Sequence, residues 1–303
     1  MISSLFRLSG FFFRNKILKQ KVPLLASVKL LYRCNLSCRV CPYHLRKDEP
    51  NSLMGYDTAI RVLDRLKHLG CQIIVFEGGE PLLWQDGNHT FSDLARYAKK
   101  KFLSTAVTTN GTLPLDVPTD MVWVSIDGTR ETHNRLRSNS YDRVTNNIEK
   151  TAHHKVFVHF TANRENYQDL EPLFRELAKV KKIRGYTLQL VYPYHQGEEN
   201  LCLSRDERKT VIEKALDLKE QGLPVLNSAS RLRAMIDNSW KCHDHLLINA
   251  DPDGSVTSGC YVKNRGGIFC RECGFTPVAE ASGALDLLPG SLLAGWKIFL
   301  KHY

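Results

Sequence analysis

Long apolar runs are missing from this chain of 303 residues, since no stretch approaches the roughly 18 residues that a membrane-spanning helix needs. We therefore do not expect a transmembrane helix. No small-residue cleavage site follows the apolar run Phe11–Phe13, so we do not expect export either. Internal repeats and low-complexity tracts are also absent, and we expect an ordinary globular protein.

Acidic residues are missing from the first part of the chain. Residues 1–47 contain ten Lys or Arg and no Asp or Glu, whereas the rest of the chain carries 32 residues of each sign. The net charge of +10 therefore lies at one end. Phe6 and Phe11–Phe13 lie in this basic end, and Trp296 and Phe299 lie in a similar apolar stretch, Leu285–Leu300. Both stretches resemble interfacial segments that meet anionic lipid, which predicts peripheral contact with the inner face of a membrane. Packing against the rest of the protein is the alternative, and no nucleic-acid partner is expected.

Nine cysteines without an export signal indicate metal binding, because the cytoplasm, where we expect this protein, disfavours disulfides. Seven of them form two groups, which are Cys34/Cys38/Cys41 and Cys242/Cys260/Cys270/Cys273. Cys71 and Cys202 stand alone, and we expect both to be small buried residues.

Short β-branched runs alternate with longer amphipathic stretches. The predicted strands are Val28–Tyr32, Ile73–Phe76, Ser104–Thr108, Met121–Ile126, Val156–Phe160 and Tyr186–Tyr192. The predicted helices are Asp57–Leu69, Phe91–Lys101 and stretches near 141–152, 166–180 and 205–221. This alternation predicts an α/β fold, a partial (β/α)6 TIM-type barrel over residues 24–225. A basic apolar segment, 1–23, precedes the barrel, and a small Cys-rich C-terminal extension with an apolar tail, 226–303, follows it. Residues 240–275 show little apolar periodicity, so we expect a metal to hold them together.

The first cysteine group reads C-x3-C-x2-C and directly follows the first predicted strand. Three thiolates can hold three irons of a 4Fe–4S cluster and leave the fourth iron open. An open coordination position is what catalysis at a metal requires. Zinc, with His44 as a fourth ligand, is the alternative that the spacing leaves open.

The chain resembles the radical S-adenosylmethionine (SAM) enzymes, because a second motif follows in the right place. Ile73–Phe76 runs into Glu77-Gly78-Gly79-Glu80-Pro81, and a G-G-E-P motif closes the second barrel strand in that family. The resemblance implies that Cys34, Cys38 and Cys41 hold the catalytic cluster. It also implies that Gly78, Gly79, Glu80 and Pro81 bind the amino group of the methionine part of SAM.

Polar residues at the ends of later strands extend the resemblance. Asn110 stands in a T-N-G sequence that similar enzymes place beside SAM. Ser125 and Asp127 end the fourth predicted strand, where the family places polar residues against the ribose. Asn163 and Glu165 follow the fifth strand, where family members contact the adenosine.

Three positions depart from the family pattern. The stretch from Asp127 to Arg137 is close to D-G-x4-H-D-x2-R, but Asn134 replaces the usual Asp and Ser138 the common Gly. His133 and Arg137 therefore either take a role in the site or cap a helix and face solvent. Val40 stands where an aromatic residue often precedes the third cysteine.

The second cysteine group reads C-x17-C-x9-C-x2-C. Four thiolates give a saturated site, so its metal should not bind SAM. The arrangement is similar to the SPASM or Twitch extensions that carry an auxiliary 4Fe–4S cluster. A structural zinc on the same four thiolates is the alternative.

The resemblance implies a reaction in which a donor such as flavodoxin or ferredoxin supplies one electron. SAM is then cleaved to methionine and a 5′-deoxyadenosyl radical, which modifies a substrate. A lipid or a peptide is the favoured substrate. A small-metabolite cyclase and a non-catalytic zinc protein with two Cys sites are the alternatives.

Overall fold

The computed structural model describes residues 2–39, 41, 43, 46–192, 199–261, 263 and 270–303. Val40 and His44, on which the sequence made predictions, lie outside the described residues.

Ten strands are found in the described ranges. They are β1 Leu25–Leu31, β2 Ile73–Gly78, β3 Gln85–Asp86, β4 His89–Thr90, β5 Ser104–Thr109, β6 Met121–Ser125, β7 Val156–Ala162, β8 Ile183–Leu190, β9 Leu247–Ala250 and β10 Val256–Ser258. Eight of them form one sheet in the order β10-β9-β1-β2-β5-β6-β7-β8. The six strands β1, β2, β5, β6, β7 and β8 pair in parallel. These are the six predicted strands, and they confirm an α/β fold consistent with the partial TIM-type barrel.

Within the described ranges, helices lie in the connections between the parallel strands, except between β5 and β6, and further helices precede β1 and follow β8. In the same described ranges they are α1 Ile2–Lys16, α2 Tyr56–His68, α3 Phe91–Lys101, α4 Arg130–Leu136, α5 Tyr141–Lys150, α6 Leu170–Leu177, α7 Arg205–Glu220, α8 Ala229–Ala234, α9 Thr276–Leu285 and α10 Pro289–Gly295. A π-helical turn, Trp296–Leu300, continues α10. Capping boxes formed by Thr90 with Asp93 and by Ser204 with Glu207 start α3 and α7, which explains why these helices begin where they do.

Alternate residues of each strand face opposite sides of the sheet. On β1, Ala26, Val28 and Leu30 face the helices and belong to the main core. Ser27 and Lys29 face the inside of the barrel, where a second, smaller core fills only the amino-terminal end. This small core consists of Ile73, Val75, Ala106, Met121, Phe157, Leu226 and Ile298. The inside of the barrel is therefore apolar at the amino-terminal end and polar toward the carboxyl ends of the strands.

The Cys-rich C-terminal segment shares the sheet of the barrel. All four residues of β9 are buried, and β9 pairs in parallel with β1 from Leu247↔Leu25 to Ala250↔Val28. The expectation that only a metal would hold residues 240–275 together was therefore too strong. A fully buried strand of four residues is too short to show an apolar period.

The N-terminal segment forms α1, with one face packed and the other exposed. Phe11 and Asn15 are buried, and Phe11 packs with Leu246 and Leu285. The side chain of Asn15 accepts a hydrogen bond from the Val22 backbone N–H at 3.0 Å. Packing against the rest of the protein thus explains one face of the segment and leaves its other face to be explained.

No single helix in the described part of the chain is long and apolar enough to span a bilayer. The pair Thr276–Leu285 and Pro289–Leu300 meets the criteria of length and composition, but its two helices are bent by 117°. Most of α9 is buried, including Val278, Ala279 and Leu285. This helix therefore belongs to the protein core.

Candidate active site

Cys34, Cys38 and Cys41 lie in the loop that leaves the carboxyl end of β1. Burial raises the pKa of the Cys34 thiol, and it raises the pKa of Cys38 to about 11. The charge of Cys38 further opposes ionisation of Cys34, and the charge of Cys41 opposes that of Cys38. The three sulfurs therefore lie near one another, and a metal that binds them must displace their protons.

The side chain of Asn110, at the end of β5, fixes the start of this loop. Its Nδ2 lies 3.6 Å from Cys34 Sγ and donates to Asn35 Oδ1 at 2.8 Å. The backbone N–H of Leu36 also donates to Cys34 Sγ, at 3.4 Å. These contacts give the first cysteine a defined position at the carboxyl end of the barrel.

Two glycines of the G-G-E-P turn lie against the same loop. A Cβ on Gly79 would lie 2.1 Å from the carbonyl oxygen of Arg33, and a Cβ on Gly78 would lie 2.4 Å from that of Leu31. Backbone N–H groups of Gly79 and Glu80 donate to Leu31 and Arg33 at 2.7 and 3.0 Å. The structure therefore shows a reason for both glycines that the sequence did not predict, the close approach of the cysteine loop.

Glu80 is completely buried and links the β2 and β5 loops. Its carboxylate accepts hydrogen bonds from Thr109 Oγ1 at 2.7 Å, from Asn110 N at 2.7 Å and from Leu82 N at 3.1 Å. Burial raises the pKa of this carboxyl group. Pro81 starts a short 3-10 turn after it. The carboxylate thus holds loops together, and its contact with SAM stays a prediction.

Asp127 and Arg137 form an ion pair at the end of β6. Arg137 Nε donates to Asp127 Oδ2 at 2.5 Å, and the other carboxylate oxygen accepts from Thr161 N at 2.9 Å. The side chain of Arg137 is only 16% exposed. Its positive charge lowers the pKa of the Cys38 thiol and so offsets part of the rise that burial causes. The guanidinium of Arg137 therefore lies in the site. The alternative prediction, that Arg137 faces solvent, is wrong.

His133 holds the turn that carries Arg137. Its Nδ1 accepts from the backbone N–H of Asp127 at 3.2 Å, and its Nε2 lies 3.0 Å from Ser140 Oγ. Since Ser140 donates its own proton to the Arg137 carbonyl oxygen, His133 Nε2 must donate. Burial lowers the pKa of His133 to about 4. This fully buried, neutral imidazole positions the ion pair and does not face solvent.

A cavity of about 170 Å³ opens beside the cysteines. Its walls are Cys38, Cys41, Tyr43, Asp127, Leu136, Arg137, Thr161, Asn163, Gln189, Val191 and Tyr192. Asp127 and Asn163, two residues that the resemblance assigns to SAM, thus face the same space as two of the cysteines. Ser125 is buried on β6 and does not line this cavity.

Glu165 joins the β7 loop to the cysteine loop. Its carboxylate lies 2.7 Å from Arg39 Nη1 and 3.4 Å from Arg135 Nε. Asn163, two residues earlier, accepts from the Glu165 backbone N–H at 2.9 Å. The Glu165 carboxylate therefore forms ion pairs with two arginines. Of Asn163 and Glu165, only Asn163 lines the cavity.

The second cysteine group also comes together in space. Cys260 is buried, Cys273 is half-buried, and Cys242 and Cys270 are exposed. Burial is the main cause that raises the pKa of Cys242 to about 12, and the charges of Asp244 and of the other three cysteines contribute to the same rise. The four thiols thus converge although 17 residues separate the first two in sequence.

A buried lysine inside the barrel was missed by the sequence analysis. Lys29 is fully buried, and its Nζ donates to Asn249 Oδ1 at 3.0 Å and lies 3.5 Å from Glu77 Oε1. The same Nζ lies 3.7 Å from the ring centroid of Tyr261, which follows Cys260. A lone lysine in the middle of an apolar strand was the available signal. Lys29 ties the barrel interior to the second cysteine group.

The donor chemistry of both groups fits iron–sulfur clusters. Three converging thiols beside a cavity suit a cluster with one open iron, and four suit a saturated cluster. Within the described ranges, no three or more His, Cys, Asp or Glu side chains are arranged around the position of one metal ion.

Comparison with known proteins agrees with this site. Residues 28–177 match the model of the Radical SAM superfamily. Fe-coproporphyrin III synthase of Methanosarcina barkeri is 30% identical over 210 residues, which are 64% of this chain and 52% of that protein. AdoMet-dependent heme synthase of the same organism is 27% identical over 280 residues, which are 84% of this chain and 78% of that protein. The chain therefore spans only about half of the first relative.

A solved structure of native anSMEcpe with bound AdoMet and the Kp18Cys peptide has the same fold. Its TM-score is 0.61 at 16% identity, over 91% of this chain and 88% of that one. Fold and site together define a partial barrel with three neighbouring cysteines at the carboxyl ends of its strands. The chain belongs to the radical SAM superfamily. Its cofactors are accordingly a 4Fe–4S cluster and SAM.

Proposed function

We propose that this chain reductively cleaves SAM at a 4Fe–4S cluster held by Cys34, Cys38 and Cys41. The observation that carries the proposal is the contact of three motifs at one end of the barrel. Asn110 reaches Cys34 Sγ with its side chain and Glu80 with its backbone N–H. When bound, the reduced cluster supplies one electron that splits SAM into methionine and a 5′-deoxyadenosyl radical. Flavodoxin or ferredoxin is the proposed donor of that electron.

The remaining site residues bind and orient SAM in this proposal. Asp127 and Asn163 face the cavity, so they are placed to contact the ribose and the adenosine. Arg137 adds a positive charge beside Cys38, where a carboxylate of SAM would be attracted. The turn Gly78–Pro81 stands next to the cysteine loop and would meet the amino group. Ser125, which is buried on β6 and faces the inside of the barrel, is also assigned to the ribose.

Cys242, Cys260, Cys270 and Cys273 hold a second, auxiliary 4Fe–4S cluster in our proposal. Support comes from the convergence of four thiols and from their anchoring to the barrel. Arg208 donates to the carbonyl oxygen of Cys273 at 2.6 Å. Four thiolates leave no open iron, so this cluster would transfer electrons or stabilise the fold of the C-terminal segment.

A peptide is the substrate that the geometry favours over a lipid. The exposed apolar residues of the chain termini, which suggested a lipid, lie at the amino-terminal end of the barrel, whereas the cavity lies at the carboxyl end. The anSMEcpe structure of the same fold contains a peptide.

A tetrapyrrole is the second candidate, because the two sequence relatives are named for Fe-coproporphyrin III and heme synthesis. An absorbance titration with iron coproporphyrin III separates the two candidates. A shifted Soret band together with faster cleavage of SAM would select the tetrapyrrole. No shift, with deuterium passing from side-chain-deuterated peptides into 5′-deoxyadenosine, would select the peptide.

SAM cleavage itself is tested with the anaerobically reconstituted protein and dithionite. We expect slow release of 5′-deoxyadenosine without any substrate, and its loss in Cys34→Ala, Cys38→Ala and Cys41→Ala. Cys202→Ala is the matched control, since this cysteine belongs to neither group, and we expect it to keep the activity. Equal activity in the Cys34→Ala variant would refute the proposal.

A further inference from the structure

Exposed apolar side chains are concentrated at the two termini. Ten large hydrophobic side chains are exposed in the described part of the chain, and eight of them belong to residues 6–18 and 287–296. We call these eight the terminal apolar patch. They are Phe6, Phe13, Ile17, Leu18, Leu287, Leu292, Leu293 and Trp296. Single exposed hydrophobic residues are ordinary, but a group of this size marks an interaction site.

On α1 the exposed residues form a stripe. Phe6 and Phe13 are seven residues apart on the helix, and Ile17, directly after it, still donates its backbone N–H to the Phe13 carbonyl oxygen at 2.9 Å. The three therefore share one side, and they are 75%, 54% and 65% exposed. Phe11 and Asn15, which are buried, occupy the opposite side. The helix therefore uses one face to pack on the protein and presents a second apolar face that the described residues leave uncovered.

The two parts of the patch meet. Lys16, beside Ile17, lies 3.5 Å from Asp286, the residue before Leu287. Phe11 of α1 packs with Leu285, at the end of α9. Ile17 and Leu287, which are far apart in sequence, therefore lie at neighbouring ends of the two segments.

This surface lies at the amino-terminal end of the barrel. The Arg7 side chain donates to the carbonyl oxygen of Lys101, which ends α3 just before β5 begins. Downstream of Trp296, Ile298 and Phe299 close the amino-terminal end of the barrel interior. The cysteine loop lies at the other end, roughly 20 Å away along the seven residues of β7.

We propose that the terminal apolar patch docks this enzyme on an anionic membrane surface, with the active site turned toward the water. Charge complementarity selects this partner. Residues 1–23, which include the stripe, contain five Lys or Arg and no acidic residue, and Lys19 and Lys21 are exposed directly after the stripe. Apolar side chains that enter a lipid interface beside cations are how amphipathic helices bind anionic membranes. A second copy of the chain is a poorer partner, because a two-fold contact would bring these cations together.

Vesicle sedimentation with the intact, reconstituted protein tests the proposal. The probes are vesicles of phosphatidylcholine alone and of phosphatidylcholine mixed with phosphatidylglycerol. We expect binding to the mixed vesicles only, and release at high salt, because salt screens the charges. Absence of binding to the mixed vesicles would overturn the proposal.

Leu18 and Leu53 provide a matched pair of variants, because each is 49% exposed. Leu53 lies beside the carboxyl end of β1, at the opposite end of the barrel. We expect Leu18→Asp to weaken binding and Leu53→Asp, which carries the same new charge, to leave it unchanged. The double variant Phe13→Asp/Ile17→Asp should bind at least tenfold more weakly than the wild type. Equal losses in the Leu18 and Leu53 variants would overturn the proposal.

Two further measurements distinguish membrane docking from a role in catalysis and from self-association. SAM cleavage should stay unchanged in Phe13→Asp/Ile17→Asp, because both residues lie far from the cysteines. A normal rate in a variant that no longer binds vesicles therefore separates docking from the proposed reaction. Light scattering should show a monomer without vesicles. A dimer that the double variant dissociates, without vesicle binding by the wild type, would assign the patch to self-association and overturn the proposal.

Discussion

Replacement of Gly79 by alanine should release the first cysteine loop from the barrel. A Cβ at this position would lie 2.1 Å from the Arg33 carbonyl oxygen, and the two loops must separate by about 0.9 Å to reach 3.0 Å, below which real Cβ contacts essentially never occur. That movement breaks the hydrogen bonds from Gly79 N to Leu31 O and from Glu80 N to Arg33 O. Two lost hydrogen bonds at about 1 kcal/mol each, and overpacking at about 1–3 kcal/mol, give about 3–5 kcal/mol.

Iron content after anaerobic reconstitution measures this effect. We expect the Gly79→Ala variant to keep about four of about eight irons per chain, those of the auxiliary cluster, and to lose SAM cleavage. Gly10→Ala is the control, because a Cβ there meets nothing within 4 Å and the residue lies inside α1. A Gly79→Ala variant with full iron and normal SAM cleavage would refute the reasoning.

Three further substitutions test other parts of the site. Replacing Cys34, Cys38 and Cys41 by alanine should leave about four irons per chain, and a wild-type content of about four with one bound zinc would remove the auxiliary cluster from the proposal. Glu80→Ala leaves buried N–H groups without an acceptor, so iron content and SAM affinity should fall together, whereas weaker SAM binding with unchanged iron would show that Glu80 serves the ligand alone. His133 has a pKa lowered to about 4 from an unfolded value of 6.5, so its contribution to stability is lost as pH falls below 6.5. Between roughly pH 7 and pH 5 this loss is about 2 kcal/mol. His133→Gln keeps one donor and one acceptor but does not titrate, so its free energy of unfolding in urea should fall by about 2 kcal/mol less than that of the wild type between pH 7 and pH 5. An equal fall in both proteins would contradict the account.

The first site could be predicted from the sequence because its parts are local in the chain. C-x3-C-x2-C and G-G-E-P each occupy a few neighbouring residues, and each directly follows a strand that its β-branched residues identify. Carboxyl ends of parallel strands meet at one edge, so two such motifs had to lie together once the sheet was parallel. How closely they approach, with Gly79 against the Arg33 carbonyl oxygen, was not predicted.

The sequence did not predict the roles of residues whose partners are distant in the chain. Lys29 gives no sign of its contacts with Asn249 and Tyr261, which lie more than 200 positions away. His133 and Arg137 could equally have capped a helix, and only the fold showed that they are buried around Asp127. In these cases the pattern of neighbouring residues does not determine burial, because burial is set by which elements pack together.

The basic, apolar character of the chain ends was determined by the sequence itself, since composition and charge need no fold. Their position was decided only by the tertiary structure. Packing of Phe11 against Leu285 unites the two termini, and closure of the barrel by Ile298 places them at its amino-terminal end. The cysteines lie at the opposite end because parallel strands direct all their carboxyl ends one way. The separation of apolar patch and active site thus follows from the direction of the strands, which no local segment of the sequence contains.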